Sequence, residues 1–198
     1  MTVRAAYIAA FAVVIVGWFV FAGLFLFRKT PPRDKAVRRE RVSYVGIVIQ
    51  ALGYTAIWIL ERPRFSPIVP LPGALAYLPP ALAAALSIGG VWMSMTALRS
   101  LGKEWSLEAR LIEGHQLVTE GPYRLVRHPI YSAMLGKLIA TGIVVSHWIG
   151  LLAGVALFSI GTAIRVRSEE KLLRAQFGAE YEAYARRVPG IVPIRFGG

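Results

Sequence analysis

Five apolar runs occupy most of this chain, at residues 5–27, 42–60, 74–98, 131–146 and 148–164. A run of that length buried in lipid has to satisfy its backbone N–H and C=O groups internally, which leaves the helix as its conformation. A bilayer core of about 30 Å takes roughly 20 helical residues. The fourth run is short and carries Lys137; it spans only if its helix begins upstream or the bilayer thins around it. The expected fold is an all-α integral membrane protein with five transmembrane helices. Residues 168–187 have the alternation of charge and apolar side chains of a C-terminal amphipathic helix, with Leu172, Leu173, Phe177, Tyr181 and Tyr184 near one face. Residues 1–98 hold the first three spans, and residues 99–198 the rest.

Charge orients the bundle. The loop after the first run holds Arg28, Lys29, Arg33, Lys35, Arg38, Arg39 and Arg41. Arg99, Lys103, Arg110, Arg124 and Arg127 lie between the third and fourth runs, and the tail adds Arg165, Arg167, Lys171, Arg174, Arg186, Arg187 and Arg195. Five spans with the N-terminus outside place all three groups in the cytoplasm. The formal net charge of +12 is then topological and faces anionic lipid headgroups, not nucleic acid, since the basic residues do not interleave with aromatic side chains on one accessible face. The chain contains no cysteine, so disulfides, thiolate nucleophiles and cysteine-held metal sites are excluded. With no organellar presequence read at its start, a bacterial inner membrane is the expected location.

Polar residues at a bilayer edge are costly unless they hold something polar. Three clusters fall on the expected cytoplasmic side. Residues 113–119 form a loop containing Gly114 and His115; residues 121–131 pack Arg124, Arg127, His128, Tyr123 and Tyr131 together; and Arg165 to Glu170 mark the exit of the fifth run. Pro129 lacks a backbone donor but suits the first turn of a helix, so His128 is expected at the start of the fourth helix, where N–H groups and the helix dipole favour an anion. Arg165 and Glu169, four apart, share one helix face. Against this stand plainer readings: Tyr123 and Tyr131 suit an aromatic belt, Glu169 and Glu170 a solvated helix face, and Lys137 either snorkels to the headgroups or lines a substrate path.

The order His115-Gln116-Leu117-Val118-Thr119-Glu120-Gly121-Pro122-Tyr123, then Arg127-His128-Pro129-Ile130-Tyr131, then Glu169-Glu170, then Phe177-Gly178 with Tyr181, Tyr184 and Val188-Pro189 resembles the isoprenylcysteine carboxyl methyltransferases, which are grouped with the phospholipid methyltransferases. The resemblance covers the chain from Leu101 onward; the first two spans carry no such signature. It implies S-adenosylmethionine bound without a Rossmann domain, in keeping with the absence of a Gly-x-Gly-x-x-Gly run. It further implies that Glu108, His115, Gln116, Leu117, Val118, Tyr123, His128, Pro129, Ile130, Tyr131 and Glu170 bind the cofactor, and that Arg165 and Glu169 lie near the substrate carboxylate and the reacting methyl.

The implied chemistry needs no general base, because a carboxylate is already ionised at neutral pH. A lipophilic acceptor would enter from the bilayer. Carboxyl O-methylation of an isoprenylcysteine-like substrate leads, and N-methylation of a phospholipid amine is the rival within the class. An NADPH-dependent sterol- or steroid-type reductase shares an Arg-His-Pro block but typically follows it with Asn-Tyr, where this chain has Ile130-Tyr131. A non-enzymatic protein holding anionic lipid on its basic loops is the remaining alternative.

Overall fold

The computed structural model describes residues 2–27, 36–39, 42–102, 110–112 and 116–193. Among the described residues six α-helices follow in order: α1 (Val3–Leu26), α2 (Ser43–Ile59), α3 (Leu78–Leu101), α4 (Pro129–Val145), α5 (Trp148–Phe177) and α6 (Ala179–Arg187). A two-stranded antiparallel ribbon, β1 (Ala36–Arg39) with β2 (Arg110–Ile112), links the segments that follow α1 and α3. Among the described residues the remaining regular structure is helical, apart from an isolated bridge between Glu61 and Ser146. Helix α1, the stretch Gly73–Leu101 and α5 are each long and apolar enough to cross a membrane; α2 and α4 are apolar helices of 17 residues. A 17-residue helix rises about 25 Å, short of a full hydrocarbon core.

Helices α2 and α5 pack antiparallel, Gly46 lying against Gly161 and Gly53 against Gly154. On α2 and α5, Gly53 faces Gly154 and Phe158, and an added Cβ on Gly53 would meet the Gly154 carbonyl at 2.9 Å. Glycines on both sides therefore set the close approach. Helix α4 packs on α3 and α1 through Ala10, Val14, Ala83, Ala140, Ile143 and Val144. At the end away from the basic segments, Arg62 donates to the carbonyls of Gly142, Ile143 and Ser146. A guanidinium at the last turn of α4 satisfies orphan carbonyls and complements the helix dipole.

Two features differ from the sequence reading. The fifth helix does not stop at residue 164 to be followed by a separate helix over 168–187. It continues to Phe177 and breaks at Gly178, whose φ of +48° admits glycine readily. Helix α6 then starts at once. No Gly or Pro interrupts residues 162–177, so the chain has no local reason to leave the helix at the membrane exit.

Lys137 is the second. Its side chain is fully buried, and in place of reaching headgroups the ammonium lies 4.7 Å from the Trp18 ring centroid and 5.6 Å from that of Phe21. Among the described residues Nζ has no hydrogen-bond partner. Cation–π attraction offsets only part of the desolvation cost. Lys137→Met is therefore expected to leave thermal stability in detergent unchanged or raise it, by up to about 4 kcal/mol. A clear loss would mean that the ammonium has an anionic partner.

Candidate active site

The residues that precede α4 are fixed by a turn and by the C-terminal segment. Gly121, at φ +60°, opens a 3-10 turn over Gly121–Arg124 that buries Pro122 and Tyr123. Tyr184 of α6 donates its hydroxyl to the Tyr123 carbonyl at 2.7 Å. The chain after α6 folds across the start of α4: Arg127 N–H donates to Pro189 O at 2.8 Å, His128 N–H to Gly190 O at 3.0 Å, and Ser132 Oγ to Ile191 O. Two of the N–H groups expected to face a ligand thus hold the tail instead. The first intrahelical bond of α4 is Ser132 N–H to His128 O, so the Ile130 and Tyr131 N–H groups are the orphan donors of the first turn.

Helix α5 presents its charged turns to this segment. Glu170 Oε1 accepts from Arg127 Nε at 3.0 Å and Nη2 at 2.9 Å and lies 3.2 Å from His128 Nε2, while Oε2 pairs with Arg174 at 3.0 Å. Arg127 also donates to the carbonyls of Ala185 and Val188. On the other face of the imidazole, His128 Nδ1 is 3.5 Å from Glu169 Oε2, and Tyr131 donates its hydroxyl to Glu169 Oε1. The His128 and Tyr131 rings stack, with centroids 5.8 Å apart. The Arg165 guanidinium sits 4.9 Å from the Tyr131 ring centroid and donates to Gln50 Oε1 at 3.0 Å; Gln50 Nε2 donates to Thr162 Oγ1 at 2.8 Å.

With a carboxylate at each ring nitrogen, His128 donates from both nitrogens only as the imidazolium. Burial alone would lower its pKa, but hydrogen bonds and charge from Glu169 and Glu170 outweigh it and the net shift is upward. Burial likewise opposes ionisation of Glu170, and hydrogen bonds from His128 and Arg127 nevertheless hold its pKa down at about 2. A group raised on folding stabilises below its unfolded value, near 6.5 for histidine, and loses that contribution as pH climbs through the folded value. The Glu170 contribution is present above its ordinary value and is lost only as pH falls toward about 2. Thermal stability in detergent should therefore hold from about pH 5 to 6.5 and decline above that as His128 deprotonates. His128→Asn should flatten the decline; an unaltered profile would mean the imidazole is not titrating against the glutamates.

Of the residues singled out in the sequence, the structure brings Tyr123, His128, Pro129, Ile130, Tyr131, Arg165, Glu169 and Glu170 to one end of the bundle. Gln116 to Thr119 lead into the 3-10 turn without regular structure, with Gln116 exposed and Leu117 and Val118 half-buried. Glu108 and His115 lie outside the described residues. Sequence reasoning missed Gln50, although it is the single amide in an otherwise apolar run, and missed the tail at 188–191. Glu169 is the more open carboxylate, its side chain 27% exposed against 9% for Glu170.

Apolar helices of membrane length, with an acidic and aromatic cluster at one end of the bundle, make this an integral membrane protein. The model of the phospholipid methyltransferase family matches residues 79–180, just over half of the chain. The chain belongs to that family. It is similar to protein-S-isoprenylcysteine O-methyltransferase B of Arabidopsis thaliana, 35% identical over 107 residues, 53% of this chain and 54% of that protein. It is also similar to the nickel-cobalt-cadmium resistance protein NccN of Alcaligenes xylosoxydans xylosoxydans, 35% identical over 115 residues, 56% of this chain and 51% of that protein. Methanethiol S-methyltransferase 2 of Bradyrhizobium diazoefficiens is 37% identical over 91 residues, 43% of this chain and 32% of that protein. The chain spans about half the length of the first two of these curated relatives.

Proposed function

We propose that the chain transfers a methyl group from S-adenosylmethionine to the carboxylate of a lipophilic, isoprenylcysteine-like acceptor. The observation that carries this reading is the placement of Arg165, buried between Gln50 and the Tyr131 ring, one helical turn from the open carboxylate of Glu169. The donor set suits a cationic methyl donor: Glu169 offers a partly exposed anion, and stacked His128 and Tyr131 offer aromatic surface beside it. When bound, S-adenosylmethionine supplies a methyl group activated on a sulfonium.

In this reading Glu169, held by Tyr131 and His128, faces the cationic part of the cofactor. Gln116, Leu117, Val118, Tyr123, Pro129 and Ile130 line the remainder, with Glu108 and His115 as further contacts. Glu170 acts through His128 and Arg127, both of which contact its Oε1 while Oε2 pairs with Arg174. Arg165 receives the acceptor carboxylate by charge-assisted hydrogen bonds. No proton has to be removed, since that carboxylate is ionised at neutral pH. Orientation and exclusion of water are what the site contributes, an effect that reaches about 7–11 kcal/mol in well-aligned systems.

The basic segments face the cytoplasm, the N-terminus lies outside, and α2 and α4 complete five spans where the membrane thins locally. Residues 99–198 form the methyltransferase core, supported by α2. A bacterial inner membrane is the proposed location, and the acceptor reaches the site laterally from the lipid. A phospholipid amine is disfavoured by the fixed positive charge of Arg165, which repels an ammonium. Incubating the protein in vesicles with methyl-labelled S-adenosylmethionine and, separately, a farnesylcysteine analogue, an aminophospholipid or a small thiol tests this. Label in a base-labile ester of the first supports the reading; label confined to the amine or thiol overturns it.

A further inference from the structure

We propose that Lys137 anchors a second site, inside the helix bundle, that binds the carboxylate of a long-chain lipophile. The inference is independent of the reading of Arg165 and of methyl transfer. Lys137 is the only Lys, Arg, Asp or Glu in the five apolar runs, so those runs supply no carboxylate to pair with it. It lies eight residues past Pro129, about 12 Å along α4. Its side chain is fully buried, and among the described residues its Nζ has no hydrogen-bond partner. An ammonium in such surroundings is strongly disfavoured without a counter-ion. The rings of Trp18 and Phe21 compensate it only in part. A counter-ion that meets it there comes from the lipid.

Three helices shape the place for that anion. Trp18 Nε1 donates to Thr141 Oγ1 at 3.0 Å, and Thr141 Oγ1 donates to Lys137 O at 2.7 Å, which fixes the indole beside the ammonium. Gly90 of α3 lies against the lysine stem, where an added Cβ would meet Cγ at 3.0 Å. On α1, a Cβ on Gly17 would collide with Ser87 Oγ and lie 3.1 Å from Lys137 Nζ. Hydroxyl and ammonium thus converge on a stretch of α1 backbone that carries no side chain. Among the described residues Ser87 Oγ meets only Val13 O, at 3.5 Å, long for a hydroxyl hydrogen bond. A carboxylate accepts from the ammonium on one oxygen and from the Ser87 hydroxyl on the other. Val14 and Phe21, on the same buried stripe of α1 as Gly17, offer apolar surface to the chain behind it. Of the three membrane-length helices, α1 has the smallest buried share, so it moves aside with the least loss of packing to admit the ligand. A phospholipid phosphate is disfavoured, because its glycerol and headgroup polar atoms would be carried unpaired to the same depth.

Parent, Lys137→Met and Lys137→Arg would be reconstituted in phosphatidylcholine nanodiscs and titrated with a radiolabelled long-chain fatty acid and, separately, its methyl ester. The parent should bind the acid saturably, one molecule per chain, with the ester at least ten-fold weaker. Lys137→Met should weaken the acid at least ten-fold, and Lys137→Arg should stay within about three-fold of the parent. The unfolding midpoint of ligand-free Lys137→Met and its affinity for S-adenosylmethionine should match or exceed parental values, which shows that the variant is folded. Competition with an unlabelled farnesylcysteine analogue identifies the source. Displacement of the fatty acid supports a site that also takes the methyl acceptor, and lack of displacement supports one reserved for membrane fatty acids. No saturable binding above empty nanodiscs, equal binding by parent and Lys137→Met, or equal binding of acid and ester overturns the inference. None of these results bears on whether the protein methylates a carboxylate, which the parent settles in the methylation assay alone.

Discussion

Replacing Arg165 with alanine is expected to abolish methyl transfer to a carboxylate acceptor while cofactor affinity stays close to that of the parent. Truncating one partner of a desolvated, hydrogen-bonded charge pair costs about 3–4 kcal/mol, on the order of several hundred-fold in rate at about 1.4 kcal/mol per factor of ten. Arg165→Lys should recover little, because an ammonium cannot present the planar fork that matches a carboxylate. Arg165 is only 6% exposed, so the calorimetric titration with S-adenosylmethionine also reports whether the variant is folded. Equal turnover by parent and variant would remove Arg165 from the reaction.

The second large effect falls on stability. Arg127 joins three parts of the molecule: Glu170 on α5, the last turn of α6 through Ala185, and the tail through Val188. Its backbone N–H also holds Pro189. Arg127→Ala leaves Glu170 with His128 and Arg174 as partners and strips two carbonyls of their donor. Removing one member of a largely buried pair costs about 3 kcal/mol or more, so the unfolding midpoint in detergent should fall clearly. Hydrogen exchange should locate the damage, with faster exchange at residues 127–132 and through α6. Arg127→Ala with parental stability and exchange would mean that the tail is held by other contacts.

The fold was readable in the sequence wherever a single local rule decided the outcome. Unbroken apolar runs dictated the helices, and Pro129 dictated the start of α4. The site was readable as far as it sits in contiguous blocks: the His128 to Tyr131 segment and the Arg165 to Glu170 turns do meet. What escaped depended on contacts far apart in the chain. Gln50 is separated from Arg165 by 115 positions, and only the glycine-lined crossing of α2 and α5 makes its amide part of the site. The fate of Lys137 turned on Trp18 and Phe21 of α1, whose placement against α4 no periodicity announces. The unbroken passage of α5 into the tail was a matter of weighing local propensity above the change of solvent at the membrane edge.

The account depends on His128, Tyr131 and Glu169 forming a pocket for a sulfonium nucleotide beside Arg165. Equilibrium binding of labelled S-adenosylmethionine to the protein in nanodiscs tests that most directly. Saturable binding of one molecule per chain, displaced by the demethylated cofactor, indifferent to NADPH and lost in Glu169→Ala, is the predicted result. Absence of saturable binding, or displacement by NADPH instead, would contradict it.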